Sequence, residues 1–188
     1  MKIRHTIYFI FVAIIGAIFY SSCAQEKADE AVPSSMSSIP DGQLYSMALG
    51  SGFTFYKNNP DTLPFTPGGG GHGGFVRIKF NAIAKSALGS DGKLPIGQIF
   101  PEGSFIVKEI YQQKGGLLFR IAVMYKTNKD LNQGSSWVWA EYNADGSNVS
   151  GVSNKGSACI SCHSITASNS PVGGDQGNRD LVRFFGLH

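Results

Sequence analysis

The chain has 188 residues, 42% of them apolar and 15% charged, which is enough for one domain with a hydrophobic core. Its formal charge is +3, and without Lys2 and Arg4 of the N-terminal leader 14 basic residues face 13 acidic ones, so there is neither a basic field for nucleic acid nor a charge bias toward acidic substrates. No internal repeat, heptad pattern or low-complexity array is present, which excludes the repeat architectures.

The leader opens on Lys2, Arg4 and His5 and continues as an apolar stretch from Ile7 to Phe19. That stretch is shorter than the roughly 20 apolar residues of a membrane-spanning helix, and it stops at Tyr20, Ser21 and Ser22, as a secretory signal over residues 1–22 does. The Ser21-Ser22-Cys23 ending resembles a bacterial lipobox, with Tyr20 where an aliphatic residue is usual. Cys23 is therefore expected to be the lipidated first residue of an exported protein held at the membrane; a plain cleaved signal is the alternative. Acyl chains suit that task because each buried methylene contributes about 0.8 kcal/mol. Residues 23–43 are rich in Glu, Lys, Ala, Ser and Pro and read as a flexible tether, leaving residues 44–188 as the folded domain.

The first part of that domain carries Pro60, Pro64 and Pro67 and then six glycines around His72, all read as loops. No Lys-Ser or Lys-Thr follows the glycines, so a phosphate cradle lacks its chemical residues. Residues 75–80 alternate apolar and basic side chains and predict a strand with one solvated face. A short helix over 81–88 opens on Asn81 as its cap. Further strands are predicted over 104–111, 117–125 and 136–142 and around Val149, separated by turn-rich segments. Short polar turns favour antiparallel pairing, since a parallel return needs a dozen or more residues. The expected class is α+β, a mainly antiparallel sheet with a few flanking helices.

With Cys23 assigned to the anchor, the remaining cysteines belong to Cys159-Ile160-Ser161-Cys162-His163. This C-x-x-C-H spacing lets two thiols attach one haem c covalently while the next residue ligates iron. A zinc site is the first alternative, but zinc wants four ligands and only His72 and His188 remain as distant extras. A dithiol redox pair is the second, and it wants a β-α-β context. His163 is thus the expected proximal iron ligand. Only 25 residues follow it and none is methionine. Met36 lies in the tether, which leaves Met47 and Met124 as methionine donors for a six-coordinate electron carrier; an open, five-coordinate iron is the preferred expectation.

Four segments then carry a family resemblance. They are Phe100-Pro101-Glu102-Gly103-Ser104-Phe105-Ile106-Val107-Lys108-Glu109, then Val123-Met124-Tyr125-Lys126, then Ser136-Trp137-Val138-Trp139-Ala140, and last Ala158 to His163 with Arg179-Asp180-Leu181-Val182-Arg183-Phe184. In order and spacing they resemble the cytochrome P-460 family, which includes the cytochromes called c′-beta. The resemblance implies an antiparallel sheet with surrounding helices, a homodimer, and a lysine, here Lys108, that bonds covalently to the haem macrocycle in hydroxylamine-oxidising members. A plain strand lysine beside Glu109, facing solvent or paired with an acid, accounts for Lys108 equally well. Those members also place an acid on the strand leading into the lysine matched by Lys126, where this chain reads Arg120-Ile121-Ala122-Val123-Met124. The departure shifts the expectation from oxidase toward ligand binding.

Phe100, Phe105 or Phe119 are candidates to crowd a distal pocket, with ordinary core packing as the alternative. Trp137 and Trp139 share a strand face, against the porphyrin edge or the helix near Asn81. Arg179 and Arg183, one helical turn apart, suit haem propionates if a C-terminal helix returns to the cofactor, and a surface position otherwise. Together these describe a periplasm-facing monohaem cytochrome that takes a small nitrogen species, hydroxylamine or nitric oxide, and exchanges electrons with a redox partner protein. A six-coordinate electron-transfer cytochrome and a haem-free lipoprotein are the rivals.

Overall fold

The computed structural model describes residues 39–64, 72, 74–128, 135–164 and 179–183. The leader, Cys23, nearly all of the tether, Met36, Phe184 and His188 lie outside the described residues. Helix α1 spans Asp41–Leu49. It is followed by strands β1 (Thr54–Phe55), β2 (Leu63–Pro64) and β3 (Phe75–Phe80) and helix α2 (Ala82–Ser86). Strands β4 (Phe105–Tyr111), β5 (Leu118–Lys126), β6 (Trp137–Asn143) and β7 (Asn148–Ser150) come next, and helix α3 (Ser157–His163) follows them.

The described strands form one antiparallel sheet in the order β1-β3-β4-β5-β6-β7, with β2 sharing the β1 edge of β3. The fold is α+β, as expected. Four predicted strands and the short helix appear within a residue or two of their expected bounds. Asn81 caps α2, its side chain accepting the Ala84 N–H at 2.9 Å. Its amide also donates to the Gly103 carbonyl at 2.8 Å, so one residue joins the helix to the turn before β4.

Period-two alternation sends side chains to two faces, and both are buried. One face carries Val76, Ile78, Phe80, Ile106, Ile110, Met124, Trp137 and Trp139 in a single cluster. The other carries Phe105, Val107, Ile121, Val123, Tyr125, Val138, Ala140 and Tyr142, covered by Ile39 and by Leu44 and Ala48 of α1. Ile39 is buried and α1 begins at Asp41, so residues before Leu44 already pack against this face.

The same cover corrects the solvated face expected of β3. Lys79 is buried, donates to the Ala48 carbonyl at 3.2 Å and pairs with Glu109 at 2.7 Å. Arg77 joins Glu109 from the other side, and the Tyr111 hydroxyl donates to it at 3.0 Å. Two cations and one carboxylate under a helix satisfy one another where water would otherwise be needed. Burial alone would raise the Glu109 carboxyl, but the hydrogen bonds from Lys79 and Arg77 outweigh it and hold the group below its ordinary range. A depressed native pKa adds stability above the unfolded value, about 4.3 for Glu, and that stability is lost as pH falls through the lower native value. Urea midpoints measured from pH 7 downward are expected to fall below about pH 4.3, and to fall less steeply in Glu109→Gln.

Candidate functional site

Helix α3 carries the C-x-x-C-H motif. Its spacing gives i, i+3 and i+4 relations, which place Cys159, Cys162 and His163 on one side of a single helical stretch. Both thiols are free, Cys162 exposed and Cys159 half-buried, with burial and then Glu141 pushing the Cys159 thiol up. The helix starts at Gly156, whose φ of +68° few other residues adopt. It packs there against Trp139 of β6, with only 2.4 Å between a would-be Cβ and Trp139 Cδ1.

Under α3 lies an open pocket of about 610 Å³, mouth included. Strand register explains its floor. One cross-strand rung runs Phe80, Ile106, Met124, Trp139, and the next runs Ile78, Lys108, Ala122, Glu141. All eight side chains line the pocket, together with Cys159, His163, His72, Val182 and Arg183. The first rung is apolar throughout. In the second, small Ala122 separates an amine from a carboxylate.

His163 is oriented by backbone. Its Nδ1 lies 2.8 Å from the Leu181 carbonyl, so Nδ1 carries the hydrogen and Nε2 keeps a free lone pair. The Trp139 ring packs edge-on at 4.8 Å between centroids. Burial first, then the Lys108 cation, push His163 down to about 3, which leaves it neutral near pH 7. This is the protonation and tautomer that a metal-ligating histidine requires.

Lys108 faces this pocket, on the side of β4 opposite Glu109. Burial and the Arg183 guanidinium bring its amine down to about 8, with Glu141 opposing them.

A carboxylate reaches the pocket from β6 rather than β5. Glu141 shares the rung of Lys108 and Ala122, and Arg120 holds its carboxylate at 3.1 Å. Parity along Trp137, Trp139 and Glu141 is the signal that would have found it. His72 also enters the pocket from the glycine run read as a plain loop, its ring 6.2 Å from that of His163. The Lys108 cation first, then burial, lower His72 to about 2.

Other candidates separate. Phe105 lies on the opposite sheet face, packed on Phe53 and Tyr125. Phe100 packs on Trp137, and Phe119 is exposed beside Arg120, so none of the three lines the pocket. Met124 is in the floor, whereas Met47 packs in the cluster of the other face.

No helix exists over the described residues 179–183. Asp180 and Leu181 adopt φ of 56° and 63°, and tertiary contacts hold them there. Asp180 pairs with Lys126 at 2.8 Å, both nearly inaccessible, and accepts the Phe100 N–H at 3.0 Å. The Trp137 Nε1 donates to the Asp180 carbonyl at 2.8 Å. Arg179 turns away to the Leu94 carbonyl, while Arg183 lines the pocket and donates to the Cys162 carbonyl at 2.8 Å.

These residues fit a covalently held porphyrin. One rung of the floor is apolar, a neutral imidazole faces the pocket, and two thiols stand on the same helix as that imidazole. Among the described residues, the buried His72 Nδ1 and Trp139 Nε1 find no hydrogen-bond partner. Among the described residues no group of three or more His, Cys, Asp or Glu side chains is gathered as a metal site.

A family model described as Cytochrome P460 matches residues 70–172, more than half of the chain. No curated protein matches the chain. The chain belongs to the cytochrome P460 family and is a haem cytochrome of that type.

Proposed function

We propose that this member of the cytochrome P460 family is an exported monohaem cytochrome c, anchored by lipid at Cys23, that binds or oxidises hydroxylamine or nitric oxide. Cys159 and Cys162 form the two thioether bonds and His163 is the proximal ligand. The observation that carries the reading is one pocket that brings Cys159, His163, Lys108 and Glu141 together beside the apolar rung of Phe80, Ile106, Met124 and Trp139.

When bound, the haem supplies an iron that takes small nitrogen ligands and exchanges electrons with a partner protein. The chain supplies the rest. The Leu181 carbonyl fixes the His163 tautomer. Ile106, Met124 and Phe80 favour neutral diatomics over ions. Lys108 is the residue for a bond to the macrocycle, and Glu141 is the carboxylate in reach of the pocket for accepting protons from hydroxylamine.

A second reading, a six-coordinate electron carrier, is favoured by Met124 and His72, which bring two further iron donors to the same pocket. Intact mass and ferrous absorption spectra with and without nitric oxide separate the readings. The expected result is one covalent haem and a spectrum that shifts on adding nitric oxide. A further covalent bond that disappears in Lys108→Arg would support oxidase chemistry. A spectrum indifferent to nitric oxide would leave the electron carrier, and a haem-free chain would overturn both.

A further inference from the structure

Glu141 lines the pocket on the rung of Lys108 and Ala122, yet the group that holds its carboxylate stands one rung further along β5. Arg120 is on the same face of β5 as Ala122, so it is the diagonal neighbour of Glu141 across the β5–β6 pair. Diagonal positions lie about 7–8 Å apart, within reach of two long side chains. Lys108 is two strands from Glu141, roughly 9–10 Å across the sheet, with only the methyl group of Ala122 between them. Arg120 is the nearer cation in register, and its Nη1 donates to Glu141 Oε1 at 3.1 Å. The pairing is one-sided. A guanidinium that closes on a carboxylate as a fork engages both oxygens. Here the Arg120 Nε is buried without a hydrogen-bond partner among the described residues, and Nη1 meets one carboxylate oxygen. The guanidinium carbon also lies 4.8 Å over the Phe119 ring, a second contact that fixes the group.

We propose that Arg120 is a positioning residue for Glu141: it holds one carboxylate oxygen and leaves the other to accept a hydrogen bond from a pocket ligand that carries N–H or O–H groups. This rests on the reading of Glu141 as the carboxylate that takes protons from hydroxylamine. The arrangement separates the two candidate ligands by their chemistry. Hydroxylamine has hydrogens to donate to the second oxygen, whereas nitric oxide has none. A hydrogen bond to a charged group is worth about ten- to a hundredfold in affinity. Without Arg120 the carboxylate is released toward Lys108 on its own rung, and the fixed acceptor is lost.

The test titrates the full haem-loaded ferric protein with hydroxylamine and, separately, with nitric oxide, following absorption in the absence of an electron acceptor. Arg120→Met is expected to bind hydroxylamine about tenfold more weakly, while its nitric oxide affinity stays within about twofold of wild type. Arg120→Lys keeps a cation and a donor and should recover most of the loss. In the Glu141→Gln background Arg120→Met should add little, because the two residues act through one contact. Arg120→Gln removes the charge but keeps a polar side chain, so it carries the test if Arg120→Met loads haem poorly. Hydroxylamine affinity that survives in Arg120→Met, falls in parallel with that for nitric oxide, or drops equally with and without Glu141 would overturn the proposal. Unchanged hydroxylamine affinity in Glu141→Gln, or a wild type that does not bind hydroxylamine, would instead overturn the reading of Glu141 beneath it. Absence of covalent haem from the wild type would overturn the haem reading itself.

Discussion

Asp180→Ala is expected to destabilise the domain by about 3–5 kcal/mol, because it leaves the Lys126 ammonium buried without its carboxylate. For a chain of this size that is a fall in Tm of roughly 6–20 °C, measurable by calorimetry. The loss extends to the site. Asp180 binds Lys126 and the Phe100 N–H through its side chain, and the next residue supplies the carbonyl that orients His163. Under the proposed ligation by His163, loosening the carbonyl that orients its ring should weaken ligation toward the roughly 10–100-fold typical of a lost outer partner, so the holo-protein should show a mixed spin state as well as a lower Tm. Lys126→Met combined with Asp180→Ala separates the two effects. Replacing both ions with apolar groups should recover much of the stability. It should not restore the His163 geometry, since the backbone at Leu181 is still untethered by a side chain at 180. If Asp180→Ala left both Tm and spin state unchanged, the pair would be neither structural nor a positioning device.

The sheet was legible in this sequence because its signal is local. Residues 75–80, 105–111 and 118–126 alternate on the period of a strand, and Asn81 stands where a helix needs a cap. The family was legible for the same reason, since the C-x-x-C-H motif and the segments that carry the resemblance are each short and contiguous. What escaped was set by pairing across the fold. Helix α1 buries only Leu44 and Ala48 and has no side-chain cap, so its pattern is weak, and without it Lys79 reads as solvent-facing. Glu141 belongs with Lys108 only once strand register places them on one rung. His72 lies about ninety residues from His163 in the chain, amid glycines that carry no periodicity. The segment around Asp180 was expected to be helical from the spacing of two arginines. Its left-handed residues are not glycines, and the contacts that hold them come from Lys126, Phe100 and Trp137.

Two loci outside the pocket therefore govern it, one behind His163 and one beneath α3, and Gly156 is the second. Gly156→Ala is expected to cost roughly 2–5 kcal/mol. The left-handed backbone contributes about 1–2 kcal/mol, and overpacking against Trp139 about 1–3 kcal/mol. The clash is with a buried indole that is itself packed on the His163 ring, so relief must move either α3 or the floor of the pocket. Covalent haem yield should fall along with the urea midpoint, because the helix that presents Cys159 and Cys162 starts at this residue. A double-mutant cycle with Trp139→Leu tests the cause. If the steric contact dominates, Gly156→Ala costs about 1–3 kcal/mol less in the Trp139→Leu background, a coupling of the size seen for residues in contact. If backbone strain dominates, the two effects add, and Gly156 serves the turn into α3 rather than the packing of α3 on the sheet.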